Sequence, residues 1–369
     1  MRTSVVLGLG FGDEGKGRTA SYLASLNPRN ALVVHFNGGH QAGHTVVHNG
    51  VRHVFSSFGS GTLQGVPTLW SRNCTFYPIA VVNEYEILTT KAEPQLYVDP
   101  LCPVTTPYDV RANHLDAHRT QHGSVGVGFG KTIERHENHF KLHFQDLFYD
   151  SVLNAKLNMI EQYYYQDQIQ KDSGRGVDYV TEERERFLEA VKFLRSCDWL
   201  KPASQLDFNK FFHVIFEGAQ GILLDMDFGF FPNVTRSNTT SKKALELIKE
   251  LGLPSPEIYY VTRAYQTRHG VGFMTNEDHP PELINNEHET NSSESYQGKF
   301  RIGKIDVELL NYALKCDLNF SRGLKKHLVV TCMDQVLSQD IKGFELSDEF
   351  ISILSSYGSE TSAMKKGWG

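Results

Sequence analysis

The segment Val5-Val6-Leu7-Gly8-Leu9-Gly10-Phe11-Gly12-Asp13-Glu14-Gly15-Lys16-Gly17-Arg18 brings closely spaced glycines, two carboxylates and two cations into one short stretch. Glycines let backbone N–H groups approach an anion closely, and a helix starting just after them adds its partial positive charge. The apolar run before the loop reads as a strand and the pattern over 19–26 as a helix, so phosphate is the expected guest. Three readings fit the loop. Gly10-x-Gly12-x-x-Gly15 matches a dinucleotide fingerprint, but the second strand, over 31–34, runs into His35-Phe36-Asn37 and not into the carboxylate that would hold a ribose. Gly10-x4-Gly15-Lys16 matches a P-loop until Gly17 stands where a Ser or Thr would hold magnesium. That leaves a truncated P-loop with Asp13 inside it, placed to bind magnesium or take a proton. The third reading is a plain strand-to-helix turn.

Other stretches repeat this grammar. In Asn37-Gly38-Gly39-His40-Gln41-Ala42-Gly43-His44-Thr45 the two histidines have the spacing of a helical zinc pair, but the glycines argue against a helix. A loop histidine beside phosphates fits better. Gly123-Ser124-Val125-Gly126-Val127-Gly128-Phe129-Gly130-Lys131 is a second glycine-rich loop, which a flexible turn would also explain. Val214-Ile215-Phe216-Glu217-Gly218-Ala219-Gln220-Gly221 again reads as a strand breaking into glycines. It leads to Thr235-Arg236-Ser237-Asn238-Thr239-Thr240, hydroxyls and amides at a helix start that serve as caps or as anion ligands.

The elements that must position these residues alternate between strand and helix, with helices over 79–88, 242–251 and 306–314 and strands over 258–261 and 327–331. Such alternation predicts an α/β fold with a large, mostly parallel central sheet flanked by helices. Residues 134–200 read as a peripheral helical lobe of one domain spanning 1–369, with His136 and His139 on its solvated face. The polar stretch 276–295 reads as a mobile loop and a lid over the site. The net charge of −6 argues against nucleic-acid or membrane surfaces and points to small-molecule partners. Five widely spaced cysteines suggest neither a disulfide framework nor zinc and fit a reducing cytoplasm, and no apolar run is long enough to span a membrane.

Gly12-Asp13-Glu14-Gly15-Lys16-Gly17, Gly38-Gly39-His40, Ala42-Gly43-His44-Thr45, Phe216-Glu217-Gly218-Ala219-Gln220-Gly221 and Ser237-Asn238-Thr239-Thr240 occur together in this order, with Tyr265-x-Thr267-Arg268 and Thr331-x-x-Asp334 behind them. In this the chain resembles the adenylosuccinate synthetases. The resemblance implies a P-loop-like ligase, a homodimer, that joins L-aspartate to C6 of a purine nucleoside monophosphate at the expense of a nucleoside triphosphate and Mg2+. It implies that Asp13 takes the N1 proton, that O6 then attacks the γ-phosphate, and that the aspartate amine displaces phosphate. His44 would donate toward the developing charge and Gln220 would hold O6. Gly12, Glu14, Gly15, Lys16, Gly17, Gly43, His44 and Thr45 would hold the donor phosphates, with Asp13 and Gly43 at the metal. Gln41, Ser124, Val125, Thr235 and Arg236 would meet the substrate nucleotide, Asp334, Ser356 and Gly358 the donor base, and Lys299 and Arg301 the aspartate carboxylates.

Some positions depart from the family pattern. Cys332 replaces the lysine of the guanine-reading strand end, which makes ATP or dATP credible donors in place of GTP. Gly298 falls where an arginine would meet the ribose 2′-hydroxyl, as suits a deoxyribonucleotide. Arg135 is the nearest candidate for the arginine that family dimers pass across their interface. These departures resemble the bacteriophage branch, which makes 2-aminoadenylosuccinate from dGMP, with adenylosuccinate synthesis from IMP as the alternative. A non-catalytic nucleotide sensor is a further reading, disfavoured by the joint presence of Asp13, His44 and Gln220.

Overall fold

The computed structural model describes residues 1–120, 125–167, 176–284, 289, 298–336 and 350–367. Strand β1 (Arg2–Gly8) leads through the glycine loop into α1 (Lys16–Ser25), and β2 (Ala31–His35) is followed by the short β3 (Gly38–Gly39). Next come the hairpin β4 (His44–His48) and β5 (Val51–Phe55), then β6 (Thr68–Trp70), β7 (Cys74–Thr75), α2 (Pro78–Leu88) and β8 (Leu96–Val98). Four helices follow: α3 (Pro107–Thr120), α4 (Phe129–Glu137), α5 (Asp150–Asp167) and α6 (Gly176–Arg195). The chain returns through β9 (Leu200–Pro202), β10 (His213–Glu217), α7 (Lys242–Glu250) and β11 (Glu257–Arg263) to the ladder of β12 (Gln266–His269) and β13 (Phe300–Gly303). It continues with α8 (Val307–Ser321), β14 (Lys326–Thr331), β15 (Phe350–Ser356) and β16 (Met364–Lys366).

Ten of these strands form one sheet in the order β16-β15-β14-β11-β1-β10-β2-β6-β8-β9. Every neighbouring pair is parallel except β15 with β16. This is the large, mostly parallel α/β sheet that the alternation of elements predicts. Alternate residues of each strand face opposite sides. Val5 and Leu7 join Leu32, Val34, Phe216 and Tyr260 on the side covered by α7 and α8. Val6 joins Val33, Ile215 and Val261 under Ala20, Leu23 and Ala24 of α1. Both faces are covered, so the strands read as continuous apolar runs. A second core under α2, α3, α5 and α6 gathers Phe76, Tyr108, Leu157 and Phe187.

The region 134–200 is less uniformly helical than its pattern suggests. Between α4 and α5 the chain leaves the helix and makes only a 3-10 turn at Phe144–Phe148. His136 does not lie on a solvated face. It is buried and hydrogen-bonded to the Leu142 carbonyl (3.1 Å), and burial followed by the Arg135 charge holds its imidazole down at about 3. His139 is exposed as expected. Helix α8 runs on to Ser321, well past 314, because Leu310, Ala313, Leu314 and Cys316 keep one face packed on the core. Half of the predicted lid at 276–295, residues 285–288 and 290–295, lies outside the described residues.

Candidate active site

Strands β1, β10, β2, β11 and β14 end on the same side of the sheet, and open parallel sheets bind ligands there. A cleft of about 1980 Å³ lies at these ends, lined from Phe11 to Arg18 by the glycine loop. Single ligand sites usually enclose roughly 300–1,000 Å³, so this cleft has room for two nucleotide-sized guests.

The loop turns on left-handed residues: Gly12 at φ 97°, Asp13 at 58° and Gly15 at 94°. Glu14 curls back so that Oε1 accepts the N–H groups of Gly10 (2.7 Å) and Gly12 (3.1 Å), while Oε2 pairs with Lys16 Nζ at 2.6 Å. The loop's amides and lysine thus already hold an anion, its own carboxylate. Thr331 at the end of β14 donates to the Glu14 carbonyl (2.6 Å) and fixes the loop from the far side.

The structure also accounts for Gly17, which breaks the P-loop pattern. A Cβ there would lie 2.7 Å from His44 Cβ and 2.9 Å from Ser60 Oγ. The space a Ser or Thr would need is taken by His44 and the residue behind it.

His44 begins β4, and its Nδ1 lies 2.5 Å from Glu217 Oε1 at the end of β10. Glu217 also accepts from the Ser60 hydroxyl and, at 3.0 Å, from the Ser60 N–H. Nothing partners the buried Nε2 of His44 among the described residues, although the ring lines the cleft. The imidazole is therefore held at one nitrogen and offered at the other. Burial opposes the Glu217 charge, but His44, His35 and Ser60 outweigh it and bring the carboxyl from 4.5 down to about 2. Because the folded value lies below the unfolded one, this stability is present above about pH 4.5 and is lost as pH falls through about 2. Glu217→Gln should consequently lower Tm at neutral pH and flatten the fall in Tm on acidification, as thermal melts between pH 7 and 2 would register.

Asp13 faces the same cleft. His269 Nε2 approaches its Oδ2 at 3.3 Å, and Arg263 Nε donates to its carbonyl at 2.5 Å. Burial works to raise the Asp13 carboxyl, but His269, Arg263 and Lys16 together keep it below its ordinary value. Gln220 has φ 64° and lines the cleft beside Gly12. Its turn is set by Asn37, which accepts from the Ala219 N–H (2.8 Å) and donates to the Ala219 carbonyl (3.2 Å).

Gly43, Thr45, Gln41, Val125, Thr235, Arg236, Asp334 and Gly358 also line the cleft. Both amide atoms of Gln41 are buried and unpartnered among the described residues. Ser124 lies outside the described residues. Ser356 is buried behind the wall, where it accepts from Arg18 (2.9 Å). Lys299 and Arg301 are not brought to the cleft. Lys299 is exposed, and the Arg301 guanidinium is spent on Glu277 and on the carbonyls of Gly270 and Gly272. Gly298 has φ 82°, and a Cβ there would sit 3.2 Å from Gly270 Cα, so backbone geometry alone favours glycine. Arg135 is fully buried against Asp109 (2.8 Å) and cannot reach a partner molecule.

Glu217, His269 and Arg263 complete the site without having been singled out from the sequence. Glu217 and Arg263 carry one signal, position at or just past the ends of predicted strands, where parallel sheets place chemistry, whereas His269 ends β12, which the sequence pattern does not predict.

An adenylosuccinate synthetase family model matches residues 5–341. The adenylosuccinate synthetase of Helicobacter pylori is 30% identical over 85% of this chain and 75% of its own length. That of Alkalilimnicola ehrlichii is 32% identical over 73% of this chain and 63% of its own, and that of Coxiella burnetii 32% over 77% and 65%. Among solved structures, the fold matches the fully ligated Plasmodium falciparum adenylosuccinate synthetase at TM-score 0.64 and 18% identity, covering 100% of this chain and 88% of that one. It also matches the cyanophage S-2L succinoaminodeoxyadenylate synthetase, solved with dGMP and with dATP as energy donor, at TM-score 0.63 and 14% identity, covering 99% and 95%. With the glycine loop, the histidine beside it and the glutamine turn converging on one cleft, the chain belongs to the adenylosuccinate synthetase family of C–N ligases.

Proposed function

We propose that this protein joins L-aspartate to C6 of a purine nucleoside monophosphate, with dGMP as acceptor and ATP or dATP as donor. The observation that carries the reading is the convergence of Asp13, His44 with its unpartnered Nε2, and Gln220 on one cleft at the strand ends. Asp13 takes the N1 proton, O6 attacks the γ-phosphorus with release of the nucleoside diphosphate, and the aspartate amine displaces phosphate from C6. His44 Nε2 meets the negative charge that builds on the transferring phosphoryl group, and Gln220 holds O6. The loop amides and Lys16 take the donor phosphates once Glu14 releases them.

Magnesium fits the donor set. No three His, Cys, Asp or Glu side chains converge among the described residues, but one carboxylate, Asp13, with the Gly43 carbonyl suits an ion that keeps most of its shell as water and phosphate. Bound there it would offset phosphate charge. Thr235, Val125, Ser124 and Gln41 are proposed at the acceptor nucleotide, and Asp334 and Gly358 at the donor base with Ser356 behind them. For aspartate, Arg268 at the cleft stands opposite Arg301 in the β12–β13 register, so Lys299 and Arg301 act once Arg301 exchanges Glu277 for a substrate carboxylate. The protein is proposed to work as a homodimer.

The deoxyribonucleotide acceptor rests on the resemblance of the sequence departures to the phage branch, since the Gly298 backbone accounts for its own glycine, and an adenine donor is supported by Cys332 at the cleft just past β14. IMP with GTP is the second reading, favoured by the curated relatives' names. Mass analysis of products from L-aspartate and magnesium, crossing dGMP, GMP, IMP and dIMP with ATP, dATP and GTP, decides between them. A succinylated product chiefly from dGMP with ATP or dATP is expected. Product chiefly from IMP with GTP would overturn the dGMP reading and leave the ligase.

A further inference from the structure

Two phosphate-bearing guests require two sets of countercharges, and the glycine loop provides one. Arg18, Arg52, Arg263 and Arg268 also line the cleft, and three of them are partly committed elsewhere: Arg18 donates to the Ser356 hydroxyl (2.9 Å), Arg263 to the Asp13 carbonyl (2.5 Å), and Arg268 to the carbonyls of Phe273 (2.8 Å) and Asn233 (2.9 Å). Lys131 and Arg236 stand apart, because among the described residues their side chains are held by carboxylates and they share one of them. A single oxygen, Glu134 Oε2, lies 3.1 Å from Lys131 Nζ and 3.0 Å from Arg236 Nη1. Asp116 also pairs with Lys131, and Glu137 with Arg236 at 3.4 Å. All but Glu137 line the cleft, beside Thr235 and Val125. Lys131 lies in the first turn of α4, one turn before Glu134, and Arg236 in the polar run before α7, so two distant stretches of chain meet at this carboxylate.

We infer that Glu134 is a displaceable stand-in for the acceptor's 5′-phosphate, and that Lys131 and Arg236 form the cation pair that binds this phosphate when Glu134 swings away. The inference rests on the proposed nucleoside monophosphate acceptor. Glu134 is about one-third exposed (34%), so its carboxylate can turn to water without being buried unpaired. A phosphate oxygen between the two cations accepts the same two charge-assisted hydrogen bonds and brings more charge than the carboxylate it replaces. The two cations face three carboxylates, Asp116, Glu134 and Glu137, so Glu134 competes with the ligand in the empty site.

Calorimetric titration of the full chain with dGMP and IMP, and with deoxyguanosine and inosine, tests this. Arg236→Ser and Lys131→Ala should each weaken monophosphate binding by about 10- to 100-fold, the worth of a hydrogen bond to a charged group, and leave the nucleosides unaffected. Glu134→Gln should tighten monophosphate binding by a few-fold, a direction that a purely structural role for Glu134 would not produce. Circular dichroism verifies that each variant is folded. An unchanged ratio of monophosphate to nucleoside affinity in folded Arg236→Ser, or weaker monophosphate binding in Glu134→Gln, overturns the inference and leaves the ligase reading standing. Failure of the wild-type chain to bind either monophosphate would overturn the acceptor reading and this inference with it.

Discussion

Asp13→Asn is expected to lower kcat by about 10²- to 10⁴-fold, the usual worth of a positioned general base, while binding of the acceptor monophosphate is kept. Asparagine has the same shape and keeps an oxygen for His269, so the loop should persist, with its turns set by Gly12, Gly15 and the Glu14 clasp. What is lost is the ability to accept a proton from N1, without which O6 remains a poor nucleophile. The environment of Asp13 keeps the wild-type carboxyl below its ordinary value, so the base is ionised throughout the neutral range. Steady-state kinetics alongside calorimetric titration of the monophosphate would check this. Turnover within ten-fold of wild type would remove Asp13 from the proposed chemistry, and lost monophosphate binding would make its role one of recognition.

His44→Asn is the second large effect, with kcat expected to fall by roughly 10²- to 10³-fold, the cost of removing one preorganised donor. The ring's two nitrogens have separate partners: Glu217 holds Nδ1 at 2.5 Å, and Nε2 is left for the ligand. Asparagine can still reach one of these but not both. The loss should therefore appear in kcat with a smaller change in KM for the donor. A pre-steady-state measurement of γ-phosphate loss from the donor would show whether the slowed step is phosphoryl transfer. An unchanged rate of that step would exclude His44 from it.

The sequence carried much of the fold because its patterns are local. Strands buried on both faces read as unbroken apolar runs, and β1, β2, β11 and β14 stand within about three residues of where those runs place them. The glycine loop was legible for the same reason. What was hidden depends on contacts between distant segments. Gly17 looked like a missing magnesium ligand, whereas its neighbours His44 and Ser60 come from around the β4–β5 hairpin. Glu217 appeared only as part of a motif, since nothing near it in the chain announces a buried carboxylate beneath a histidine. The pairing of Arg301 with Glu277 spans 24 positions and follows no helical or strand period. His136 failed because a polar helix pattern does not reveal that one histidine turns inward onto the Leu142 carbonyl.

The place of β1 in the sheet also bears on how the chain matures on the ribosome. Its two hydrogen-bonding neighbours are β10 and β11, which begin at His213 and Glu257. Until the chain has been made past these points β1 has neither of its lateral partners, and the glycine loop that follows it has no rigid support. Long-range parallel pairing of this kind is slow to form and leaves apolar strand edges open to aggregation in the meantime. Nascent chains arrested before about residue 263 should therefore hold the N-terminal strand in a state that chaperones recognise, and a competent nucleotide loop emerges only after the chain has passed that point.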